Sequence, residues 1–130
     1  MATTIVNPKD LAPARGYSHG AAGTGKMLYI AGQIGWDSKA HLVSTDLVQQ
    51  FDRAMANLLR VVQEAGGHPE DVVKMNLFVL DKKEYRQRER EIGMVYRKRM
   101  SRHYPAMTLV EVRGLYDEGA KVEIEAVAIL

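Results

Sequence analysis

The stretch DVVKMNLFVL, Asp71 to Leu80, alternates as a strand does: Val73, Met75, Leu77 and Val79 share one face, and Val72, Lys74, Asn76, Phe78 and Leu80 share the other. A helical pattern flanks it on each side. Upstream, Leu47, Phe51, Ala54, Met55, Leu58, Val61 and Val62 recur at steps of three and four, one face of a long helix. Asp46 starts that helix, because its carboxylate can accept from free N–H groups of the first turn, and Gln49 is placed to complete a capping box. Gly66-Gly67 ends it. Downstream, Tyr85, Ile92, Val95, Tyr96 and Met100 give a second helix, from about Lys83 to Met100, its apolar stripe.

Further strands complete the pattern. TTIVN, residues 3–7, is short and β-branched. KMLYIAGQIG, residues 26–35, places Leu28, Ile30 and Gly32 on one face and Tyr29, Ala31 and Gln33 on the other. Gly32 weakens this strand and marks either a bulge or the close approach of another group. YPAMTLVEV, residues 104–112, becomes a strand after its proline, with Met107, Leu109 and Glu111 on one side. AKVEIEAVAIL, residues 120–130, is the last. The order is β, β, α, β, α, β, β, with room for another short strand near Tyr17. A strand–helix–strand unit occurs twice, over 27–80 and 71–112. These elements predict an α+β fold, a mixed sheet with two helices on one face. The other face carries Tyr29, Ala31 and Phe78, too apolar for an open surface, which predicts self-association through it. No linker or low-complexity segment divides residues 1–130, so one domain is expected.

Composition removes several chemistries. The chain has no cysteine, which excludes disulfides, thiolate nucleophiles and thiolate metal sites. The opening MATTIVNPKDLAPARG lacks an apolar segment with a basic flank, and no run of about 18 apolar residues occurs; a cytoplasmic protein without membrane attachment is expected. The four histidines, at 19, 41, 68 and 103, are scattered and predict no metal site. GTGK, residues 23–26, is too short for a phosphate loop and precedes a strand; no dinucleotide fingerprint occurs, and no cofactor is expected. Lys82 to Arg102 holds nine basic and three acidic residues, a net charge of +6 in a chain of net +2. Such a run is ordinarily a solvated helix face. It would also attract anions. No exposed aromatic–basic interleaving for base stacking is evident, so nucleic acid is not an expected partner.

Two constellations carry candidate chemistry. Glu123 and Glu125 alternate in VEIEA and share one strand face, and Glu111 adds a third carboxylate in the final strands. A carboxylate against apolar walls can orient or activate water; otherwise these groups face solvent or pair with cations. The loop GYSHG, residues 16–20, holds Tyr17, Ser18 and His19, suited to a polar ligand, although no nearby carboxylate orients His19 for a triad.

In order along the chain, GYSHG, LYIAGQIG, EAGG, PEDVVK, FVLD, YPAMTLVEV and VEIEAVA resemble the Rid family, the reactive intermediate deaminases, also called the YjgF or endoribonuclease L-PSP family. The resemblance covers about residues 3 to 128. It implies a chorismate-mutase-like fold and a homotrimer whose sheets line a central β-barrel, with a small-molecule cleft between each pair of subunits. The family's best-known activity is hydrolysis of enamines and imines to 2-ketoacids with release of ammonia. By this resemblance Tyr17 is the early-loop tyrosine, Ala31 the small residue beside Gly32, and Glu123 the glutamate that positions the attacking water. Leu109 takes the position of a cysteine found in several members.

Met107 stands where active members have an arginine that grips the substrate carboxylate. Only a guanidinium supplies that two-pronged geometry, and methionine has neither donor nor charge. Arg113 is no obvious replacement, being six residues along, roughly 20 Å at about 3.3 Å per residue. A substitute would have to come from the basic second helix or a neighbouring subunit. The resulting expectation is a Rid-family trimer of the arginine-lacking kind that hydrolyses an enamine- or imine-type metabolite with Glu123 and Tyr17 as catalytic groups. Ala31, Gly32, Met107, Leu109 and His19 would contact the ligand. A non-catalytic ligand-binding or regulatory trimer is one alternative; endoribonuclease or translation-inhibitor activity, favoured by the +6 segment, is another.

Overall fold

The computed structural model describes residues 3–130. The segment DVVKMNLFVL forms the inner strand β4 (Val72–Val79), numbered here after β1 (Thr4–Val6), β2 (Gly20–Ala22) and β3 (Met27–Gln33). Val73, Met75, Leu77 and Val79 are buried, as their alternation predicts. Beside β4 lie parallel β5 (Ala106–Glu111) and antiparallel β6 (Val122–Ile129). β3 pairs antiparallel with the far side of β6, giving a mixed sheet in the order β3-β6-β4-β5. The helices α1 (Leu47–Glu64), α2 (Lys82–Gln87) and α3 (Glu89–Met100) supply the second layer. Phe51, Met55 and Leu58 of α1, with Ile92, Tyr96 and Met100 of α3, form one core with Met75, Leu77, Val79, Ile124 and Ala126 of the sheet. The opposite sheet face has no such cover: Tyr29 is 73% exposed and Val110 42%.

Helix ends refine the expected pattern. The Asp46 carboxylate accepts from the Gln49 N–H at 3.1 Å, as expected. The reciprocal half of the capping box is not made by Gln49: the Asp46 N–H donates to Ser44 Oγ at 2.9 Å. After α1, Gly66 takes a φ of 87°, and the N–H groups of Gly66 and Gly67 close back onto Gln63 and Val62. The single helix expected over 83–100 is interrupted at Arg88, whose ψ of 12° leaves the helical range. At the break its guanidinium donates to Asp46, the N-cap of α1, and to Glu91 on α3. Arg88, first and foremost, holds the carboxyls of Asp46 and Glu91 below their ordinary range. Part of the basic run is thus neutralised within the fold, with Arg99 paired to Asp52 as well.

The additional short strand expected near Tyr17 is present at Gly20–Ala22, pairing with β1, although its Gly-Ala-Ala sequence carries almost no strand propensity. At Tyr17 the chain makes only a bridge from Ser18 to Ala106, with the Ser18 N–H donating to the Pro105 carbonyl at 3.0 Å. One strand expectation is corrected. On β3, three residues from Ile30 to Gln33 span two on β6, from Ala126 to Ile124. This bulge breaks the alternation, so Gln33 falls opposite buried Ile124 instead of sharing the face of Tyr29.

Candidate functional site

The candidate residues divide between the two faces of the sheet. Met107 lies opposite Met75 and Leu109 opposite Leu77, and directly paired residues share a face, so both point toward the helical layer. There they line a cleft of about 480 Å³ together with Tyr17, Tyr85, Tyr96 and Tyr104. The Ser18 bonds to Tyr104 and Pro105 bring the Tyr17 loop to the start of β5. Tyr96 stacks on Tyr104 with centroids 5.2 Å apart and donates to the His103 carbonyl at 2.7 Å. Burial, with smaller contributions from Tyr104 and Tyr85, pushes the Tyr96 hydroxyl well above its ordinary pKa. Burial, then the charge of Glu89, pushes Tyr85 up to about 12, so its hydroxyl remains a donor at neutral pH.

His19 stands behind Tyr17 and is absent from the cleft wall. Its ring meets Tyr17 edge-on at 5.5 Å, its Nε2–H donates to the Ala12 carbonyl at 2.6 Å, and its backbone N–H donates to Asn7 Oδ1 at 2.7 Å. These bonds fix the loop and the tyrosine.

Glu123 lies on the opposite sheet face, across from Phe78. The bulge brings Gly32 against it: a Cβ on Gly32 would stand 1.9 Å from Glu123 Oε2 and 2.8 Å from its Cδ. The carboxylate therefore lies over bare backbone, the close approach that Gly32 signals in the sequence. Glu123 has no hydrogen bond or ion pair among the described residues, whereas Glu125, two residues on, accepts from Asn76 Nδ2 at 3.0 Å. Ala31 lies beside Glu125 and Asn76 in a shallow hollow of the same face. Glu111 does not join these carboxylates; it accepts from the Lys82 N–H at 2.9 Å at the start of α2.

The candidate residues thus fall into two groups, Tyr17, Met107 and Leu109 in one and Gly32 and Glu123 in the other, at opposite sides of the sheet. Two residues not singled out from the sequence, Arg15 and Arg97, also line the helix-side cleft; Arg113 lies beyond the end of β5. Among the described residues, no group of three His, Asp or Glu is placed to hold a metal ion, and no helix is long and apolar enough to cross a membrane.

Comparison with known proteins places this architecture. A Yersinia pestis protein of unknown function from the conserved Rid family, YyfB, superposes with a TM-score of 0.90 over 100% of both chains at 30% identity. RidA from an Antarctic Psychrobacter superposes with a TM-score of 0.71 at 30% identity, over 98% of each chain. The 2-iminobutanoate/2-iminopropanoate deaminase of Salmonella typhimurium is 30% identical over 132 aligned positions, covering 99% of this chain and 98% of that one. The sequence model of the family described as endoribonuclease L-PSP matches residues 7–130. With that match and the fold, the chain belongs to the endoribonuclease L-PSP family, the Rid or YjgF family of proteins.

Proposed function

We propose that residues 1–130 form one domain of a homotrimer that hydrolyses an enamine- or imine-type metabolite, in a cleft completed by a second copy. The observation that carries this reading is the unpartnered carboxylate of Glu123 held over Gly32. Relatives named 2-iminobutanoate/2-iminopropanoate deaminase support the reaction class. In the reaction, Glu123 takes a proton from water as the water oxygen bonds to the imine carbon, and returns it to the nitrogen as the C=N double bond becomes single, giving a carbinolamine. The carbinolamine hydroxyl proton then passes to the nitrogen as the C–N bond breaks, releasing a carbonyl and ammonia. Tyr17 and Leu109 would meet the substrate from the adjoining subunit, and Met107 itself offers the substrate carboxylate no donor.

The arrangement of edges supports the assembly. β3, with Gly32, is one edge of the sheet and β5, with Met107 and Leu109, is the other. A head-to-tail ring brings unlike edges of successive copies together and covers the apolar face around Tyr29 and Val110. Sedimentation should give three times the 14.6 kDa chain mass. Ammonia release from imino acids generated in situ should depend on the protein. A stable monomer at micromolar concentration would remove the intersubunit site. Saturable ligand binding with no ammonia from any imine would favour a regulatory trimer.

A further inference from the structure

Met107 leaves the floor of the helix-side cleft uncharged, yet two arginines line its walls. Arg15 comes from the loop before Tyr17 and Arg97 from α3. Both are exposed, and neither has a hydrogen bond or ion pair from its side chain among the described residues, in contrast to Arg88 and Arg99. Arg97 lies along its own helix: a Cβ on Gly93 would come within 3.3 Å of its Nη1. A glycine inside a helix is disfavoured relative to alanine. Here it leaves space for the guanidinium to lie flat beside the cleft.

Resting on the trimeric hydrolase reading above, we infer that Arg15 and Arg97 together replace the missing clamp and select a monocarboxylate with a large aromatic body, too large for the small imino acids that a clamp at residue 107 would serve. Two arginines against Glu89 leave one net positive charge in the cleft, which suits one carboxylate and disfavours a second. The tyrosines, Met107 and Leu109 offer an apolar surface for the body, and the Tyr85 hydroxyl offers a neutral donor. At about 480 Å³ the cleft exceeds what a three-carbon acid fills, so the body contributes to selection.

Calorimetry on the full oligomer, with phenylpyruvate, pyruvate and phenylpyruvate methyl ester as probes, tests this. Phenylpyruvate should bind more tightly than pyruvate, and the ester at least about tenfold more weakly, the scale of a lost charged hydrogen bond. Arg15→Gln and Arg97→Gln should each weaken phenylpyruvate by about tenfold and remove the preference for acid over ester. Both residues are exposed, so these variants should keep the wild-type melting temperature. Gly93→Ala should weaken the acid in the same direction by displacing Arg97. Equal binding of acid and ester, unchanged affinity in the double variant, or no phenylpyruvate binding would each overturn the inference. Binding of the acid without turnover of its imine would sink the hydrolase reading and leave the anion site standing. Turnover with full activity in the double variant would do the reverse.

Discussion

Glu123→Gln should lower hydrolysis of a turned-over imine by about 10²–10⁴, the usual scale for a general acid or base. The substitution keeps shape and hydrogen-bonding reach and removes only the charge. No cation pairs with Glu123 among the described residues, so the folded protein should lose little stability. Glu125→Gln is the control: its carboxylate is already held by Asn76, and the change should affect activity far less. Gly32→Ala tests position separately from charge. Its methyl group would occupy the place of Glu123 Oε2, the mobile end of a side chain, so the carboxylate should move while the strand stays paired. Activity should fall in Gly32→Ala with the melting temperature nearly intact. A Glu123→Gln protein that melts markedly earlier but retains its activity per folded molecule would identify a structural glutamate instead.

Turnover of 2-aminoacrylate and of small branched imino acids should be weak in the wild type, and Met107→Arg should raise it. A desolvated carboxylate pair that loses one partner costs on the order of 2–5 kcal/mol. Restoring the guanidinium should recover part of that, seen mainly in kcat/KM for carboxylate substrates. Met107 is only partly buried and lies at the cleft, so the longer side chain has an exit toward solvent. Robust wild-type turnover of these small imines, unaffected by Met107→Arg, would show that this chain does not need a clamp at residue 107.

Alternation in β4 and β6 exposes the fold in the sequence, because each strand buries one face under the helices and leaves the other half-covered. Gly32 likewise signals both the bulge and the close approach that the structure contains. Its consequence for facing was hidden: a bulge shifts every later residue, and Gln33 changed sides with it. The bounds of β2, the short strand expected near Tyr17, were hidden because Gly-Ala-Ala has no strand preference; its pairing with β1 comes from contact across the chain. The break at Arg88 rests on ion pairs to Asp46 and Glu91, the first of them 42 residues away. At the candidate site, the cleft wall left a signal that an apolar stripe does not capture. Tyr85, Glu89, Gly93 and Arg97 recur every fourth residue and carry mixed chemistry. Arg15 had no such periodicity, since its place depends on the loop being tied to β5 through Ser18.

The division of the site between two copies can be tested by mixing two variants. Glu123→Gln removes the carboxylate proposed to direct water, and Met107→Trp fills the floor of the cleft. Each alone should be inactive on the imine that the wild type hydrolyses fastest. Co-refolded in equal amounts, about one quarter of the clefts in random head-to-tail trimers should join an intact Glu123 to an open cleft from the next copy. Activity should return to about that fraction of wild type. Hybrid trimers that form but recover no activity would contradict a site shared between subunits.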